Sequence, residues 1–86
     1  MAKYELVITN PASKDIKPIP KNQLKKICET MRNLLDNPIS AKSKKLAGSK
    51  RSYRIRVGDY RILYSISNKV ITIFAIGHRK DVYRKT

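Results

Sequence analysis

Three arginines stand at alternating positions in YRIRVGDYRILY, residues 53–64: Arg54, Arg56 and, across the central Gly-Asp, Arg61. Arginine presents a planar fork of donors that meets phosphate oxygens in two parallel, charge-assisted hydrogen bonds. A group of such forks suits binding a phosphodiester and stabilising charge that builds on its oxygens. Further along, His78 and Arg79 are followed by Tyr83. They add an imidazole, another cation and a ring on which a base can stack. Singly, a histidine after a strand or a tyrosine near a chain end is more often a packing or surface residue. The weight rests on the constellation.

Such residues act together only if a sheet positions them. Gly58-Asp59 fits a two-residue hairpin turn with glycine first. Val57 then opposes Tyr60, Arg56 opposes Arg61, Ile55 opposes Ile62 and Arg54 opposes Leu63. Side chains alternate between faces, so Tyr53, Ile55, Val57, Tyr60, Ile62 and Tyr64 share one face and the three arginines the other. Like charges placed directly opposite are destabilising, and an anion between Arg56 and Arg61 would relieve them. The competing reading is a solubilising face, or pairing with Asp59, Asp81 or Glu5. Asp59 and Asp81 are the only acids after residue 40, too few to neutralise the cluster.

The remaining pattern supplies a cover for the apolar face. Residues 4–9 read as a short strand ended by Asn10-Pro11. Residues 13–17 read as one helical turn before Pro18 and Pro20, which bar a continuous helix. From Lys21 to Asp36, Leu24, Ile27, Cys28, Met31, Leu34 and Leu35 recur at helical spacing as one stripe, with Asn22 as the expected N-cap and Asn37-Pro38 as the stop. Cys28 lies in that stripe, so packing is its expected role. Residues 39–52 read as a basic loop turning at Gly48 and anchored by Leu46. Strands follow at 53–57, 60–65 and 70–76, with Ser67-Asn68 expected to close the second hairpin. In that register Ile71, Ile73 and Ala75 join the apolar face and Phe74 falls beside Arg61. One helix stripe covers one face, which leaves the arginine face open, with His78 and Arg79, directly after the last strand, expected at its rim.

The 86 residues make a single domain, 1–86, with 41% apolar residues for a thin core. Net charge is +14, of which +11 falls after residue 40 (thirteen basic less two acidic side chains). Polyanions are the natural partners of such a surface. A lone cysteine offers no internal disulfide and no metal cluster, which fits a reducing compartment. No apolar run approaches the roughly 20 residues of a membrane span. The first ten residues lack the long apolar stretch of a signal peptide. A cytoplasmic location without membrane attachment is expected.

KKLAGSKRSYRIRVGDYRILYSI, then ITIFAIGHRKDVYRK, resembles the RelE-type toxins of type II toxin–antitoxin pairs, in the RelE/ParE superfamily. KDIKPIPKNQLKKICETMRNLLDNP fits the helical pair of that family, so the resemblance covers nearly the whole chain. It implies an α+β fold: an N-terminal strand, two helices, then a mainly antiparallel sheet packed on the helices with an open basic face. It also implies a ribosome-dependent endoribonuclease that cuts mRNA in the ribosomal A site and inhibits translation, with no metal and no cofactor. A ribose 2′-hydroxyl attacks the adjacent phosphate, leaving a 2′,3′-cyclic phosphate and a 5′-hydroxyl. By position, Arg54 and Arg56 match sites often filled by lysine, where one basic residue takes the 2′-hydroxyl proton and another steadies the phosphate. Arg61 matches the arginine that stabilises the transition state, Arg79 the general acid, and Tyr83 the tyrosine stacked on the base. Partners implied are a cognate antitoxin, mRNA with the ribosome, and operator DNA reached through the antitoxin complex. Lys42, Lys44, Lys45, Lys50 and Arg51 are then expected to contact ribosomal RNA in a sequence-blind way.

Arginine in place of lysine departs from the family pattern, because a guanidinium does not give up its proton in proteins. Two options stay open: His78 serves as base or acid, or electrostatics and ribosomal groups suffice. Alternatives to the nuclease are a gyrase-targeting toxin of the same fold, a non-catalytic RNA-binding module, and a degenerate toxin retained for antitoxin-bound repression.

Overall fold

The computed structural model describes residues 3–40 and 42–78. Arg79, Tyr83 and Asp81 lie outside the described residues.

The chain opens with strand β1 (Glu5–Ile8) and passes directly into helix α1 (Asn10–Ile16). Thr9 makes the junction: its Oγ1 accepts from Ala12 N at 3.3 Å, and Pro11 sits in the first turn, where a missing N–H costs nothing. The expected single turn is therefore a longer helix that starts three residues earlier. Helix α2 (Lys21–Asp36) has the expected bounds, but its N-cap is Pro20, not Asn22. The Pro20 carbonyl accepts from Leu24 N at 2.9 Å, while Asn22 Oδ1 takes only its neighbour Gln23 N. A proline with φ fixed at −57° enters the helix pre-set, so the helix starts before asparagine can cap it.

The sheet comprises β2 (Ser43–Lys45), β3 (Ser52–Val57), β4 (Tyr60–Ser67) and β5 (Val70–His78), with β1 as an edge. Its order is β1-β5-β4-β3-β2; β1 runs parallel to β5 and every other pair is antiparallel. The β3–β4 register matches the expected one pair for pair, including Arg56 opposite Arg61, and Gly58 takes φ +60° at the first turn position.

Two features depart from expectation. The second turn is Asn68-Lys69, not Ser67-Asn68: both residues take positive φ, 49° and 67°, and Ser67 pairs with Val70. A two-residue turn of this hand needs left-handed angles at both positions, and asparagine tolerates them better than serine. The second feature is a bulge between Leu63 and Tyr64, which pair with Ala75 and Ile73 and leave Phe74 as the extra residue. One extra residue reverses the faces of everything after it. Ile76 therefore enters the main core in place of Ala75. Ala75 packs with Leu63, Leu46 and Phe74 on the other face, and Arg61 lies opposite Gly77 rather than beside Phe74. Leu46 thus anchors the basic loop, but to this smaller cluster.

Both helices cover one face. Ile27, Met31 and Leu34 of α2, Ala12 of α1 and Ile19 pack on Ile55, Val57, Ile62, Tyr64, Ile71, Ile73 and Ile76. Each large apolar side chain fully buried there contributes roughly 1.5–3 kcal/mol. Half-buried Cys28 packs against this core as expected.

Candidate nucleic-acid interface

On β3 the alternation is strict: Ile55 and Val57 are 4% and 7% exposed, while half-buried Arg54 and exposed Arg56 point to the opposite face, away from the helices. β4 adds Arg61, half-buried, with its Nε sealed from solvent. Arg56 Nε donates to the Gly58 carbonyl at 2.9 Å. That bond ties the guanidinium to the hairpin turn. These side chains are therefore fixed in direction by strand and turn.

β2 changes the site. Read from sequence as loop, residues 43–45 pair with β3, Lys44 directly opposite Arg54 and Ser43 opposite Ile55. Ser and Lys are poor strand formers, so the strand exists because β3 offers an edge to pair with. Lys44 consequently shares the arginine face. A cavity of about 180 Å³ opens there, lined by Lys42, Lys44, Arg54, Arg56 and Arg61. All five of the described lining side chains are cations. Two like-charged cross-strand pairs, Lys44 with Arg54 and Arg56 with Arg61, each oppose folding by roughly 0.2–1 kcal/mol. An anion bound between them would reverse the sign of that interaction.

The other sequence candidates lie elsewhere. His78 closes β5 opposite Tyr60, its ring edge-on to Tyr60 at 6.1 Å. With Lys14, Asp15 and Ile19 it lines a separate cavity toward α1. The expectation that His78 stands at the rim of the arginine face is corrected, and the bulge at Phe74 is the cause. Lys45 pairs with Tyr53 and so faces the helix side. Lys50 and Arg51 line a different depression with Tyr53 and Ile66, where Arg51 Nη1 donates to Ser67 Oγ at 3.4 Å. Sequence reading placed Lys42 and Lys44 among the ribosomal RNA contacts and missed that they line the arginine cavity. The alternation in AKSKKL, lysine at every second position, carried that signal.

One buried clamp sets the edge that carries Lys44. Tyr64, fully buried, donates its hydroxyl to the Pro38 carbonyl at 2.7 Å and meets Ser43 Oγ at 2.7 Å. Burial pushes the phenol above its ordinary value; the Ser43 hydrogen bond opposes that rise and nearby Tyr53 adds to it.

Fold and cavity together define a small basic α+β protein with a cluster of cations on the sheet face away from the helices. A family model described as "ParE toxin of type II toxin-antitoxin system, parDE" matches residues 6–83. Toxin RelE3 of Methanocaldococcus jannaschii is 34% identical over 76 residues, covering 81% of this chain and 84% of its own. A second relative from that organism, also of the RelE name, is 33% identical over 87 residues, covering 95% and 97%. The RelE–RelB complex of Pyrococcus horikoshii superposes with a TM-score of 0.78 at 27% identity, over 92% of this chain and 98% of that one. The chain belongs to the family of type II toxin–antitoxin toxins and is RelE-like within it.

Proposed function

We propose that this toxin is a ribosome-dependent endoribonuclease that cleaves mRNA in the A site. The five-cation cavity carries the reading: it suits a phosphodiester that gains charge as the 2′-hydroxyl attacks. Arg56 and Arg61, facing each other across the hairpin, are assigned to the non-bridging oxygens, where one fixed donor is worth about 10²–10³ in rate. Arg54 holds the flanking backbone. Tyr83 keeps the stacking role implied by the family, while Arg79, matched there to the general acid, holds its proton and is assigned to a charge-assisted hydrogen bond to the leaving oxygen. Lys45, Lys50 and Arg51, outside the cavity, are left for sequence-blind contacts to ribosomal RNA.

A cognate antitoxin completes the system. The relative from Pyrococcus horikoshii was solved bound to RelB, and a net charge of +14 favours an acidic partner. Operator DNA is reached through that complex. A second reading, poisoning of gyrase, has the match to the ParE model in its favour. Purified toxin added in parallel to programmed ribosomes and to a gyrase supercoiling reaction separates the two. Cut mRNA with unaffected supercoiling is expected; blocked supercoiling with intact mRNA would replace the proposal by the second reading.

A further inference from the structure

The cleavage proposed above has to move a proton. The attacking 2′-hydroxyl must lose one, and a guanidinium cannot take it, since arginine stays protonated in proteins. That excludes Arg54, Arg56 and Arg61 as acceptors. Among the described residues, no imidazole and no carboxylate lines the cavity, and His78 lines a different one. Of the described lining residues the two lysines remain, and position separates them. Lys42 precedes the strand and also lines a neighbouring cavity of about 340 Å³ with Thr30, Asn33, Asn37 and Ser40. Lys44 sits in mid-strand, opposite Arg54. Its neighbours are anchored on both sides: Ser43 N donates to Ser40 O at 3.0 Å, and Leu46 N to Ser52 O at 2.9 Å. Ser43 Oγ is held by Tyr64 as well. The backbone that carries Lys44 is thus fixed against the arginine pair.

We infer that Lys44, on the edge strand β2, is the catalytic base of the reaction, an inference that rests on the nuclease reading. Its neutral Nζ takes the 2′-hydroxyl proton as the O2′–phosphorus bond forms. The phosphorus–O5′ bond breaks, its electron pair goes to O5′, and O5′ takes a proton from water. Solvent then removes the proton from Lys44. The three arginines supply fixed donors, and one lysine supplies the proton acceptor. The base has in effect moved from β3, where the family often carries lysine, to the adjoining strand.

The test is a single-turnover cleavage rate on programmed ribosomes, measured across pH. Lys44→Arg keeps the charge and cannot cycle a proton; it should lose about 100-fold or more in rate with ribosome binding retained. Lys25→Arg, at an exposed position of α2 on the other side of the sheet, should cleave like wild type. In a Cys28→Ser background, Lys44→Cys alkylated with 2-bromoethylamine restores an amine of lower basicity than lysine. It should recover cleavage with the pH–rate profile displaced to lower pH, which a structural or purely electrostatic role would not produce. Wild-type rates from Lys44→Arg, or an alkylated protein with an undisplaced profile, would overturn the assignment of Lys44. Absence of cutting by the wild type would remove the nuclease reading itself, and the assignment with it.

Discussion

Tyr64→Phe removes one oxygen from the centre of the molecule and tests how β2 is held. That oxygen donates to Pro38 O and meets Ser43 Oγ, both at 2.7 Å. The ring itself, stacked on Tyr53 with centroids 5.8 Å apart, is untouched by the change. Two hydrogen bonds at a net ~0.5–1.5 kcal/mol each give an expected loss of about 1–3 kcal/mol. In a domain of this size that lowers the melting temperature by roughly 4–8 °C per kcal/mol. The loss should depend on pH in one direction. Burial raises the phenol of folded Tyr64 above the ordinary tyrosine value of 10.0. Below that value both folded and unfolded states are protonated and the contribution is complete. As pH rises through the folded value, the unfolded state ionises more readily and the contribution fades. Urea unfolding of wild type and Tyr64→Phe at neutral pH and above pH 10 reads this directly. The gap between the two proteins should narrow in alkali. A gap under about 0.5 kcal/mol at neutral pH, outside the range for hydrogen bonds, would refute the reasoning. So would a gap that widens as pH rises.

Three further outcomes are expected. Gly58→Ala places a Cβ at φ +60°, 3.3 Å from Gln23 Oε1; it should cost about 1–2 kcal/mol in thermal unfolding, and an unchanged melting temperature would contradict the turn geometry. Asp15→Ala removes the carboxylate that accepts Ile76 N at 3.1 Å beyond the bulge. It should cost about 1–3 kcal/mol and speed hydrogen exchange at the Ile76 amide; unaltered exchange there counts against the contact. His78→Ala, altering a side chain on the α1 side of the sheet, should leave mRNA cleavage at the wild-type rate. A large loss would return His78 to the reaction.

The sequence made the working hairpin legible because two independent signals agree there: a Gly-Asp turn and strict alternation on both arms. Together they pin a register in which a slip of one residue would bury arginine. The α2 stripe was legible for a similar reason. β2 was not, because Ser-Lys-Lys has no strand propensity and is ordered only by the edge of β3. The bulge at Phe74 was missed although it leaves a trace: core positions Ile71 and Ile73 are two apart, and the next, Ile76, is three further. Overlooking that change of spacing put Ala75 in the core and His78 with the arginines. The site as read therefore had its arginines in place but lacked the two lysines that complete the cavity.

The central claim is that the basic face of the sheet cuts mRNA on the ribosome. Primer extension on programmed ribosomes with a defined A-site codon, comparing wild type with Arg61→Ala, tests it most directly. The account predicts a new mRNA 5′ end within that codon for wild type and its loss, by about 10²-fold or more, in a folded, ribosome-bound Arg61→Ala protein. Full cleavage by Arg61→Ala, or none by a folded wild type bound to ribosomes, would contradict it.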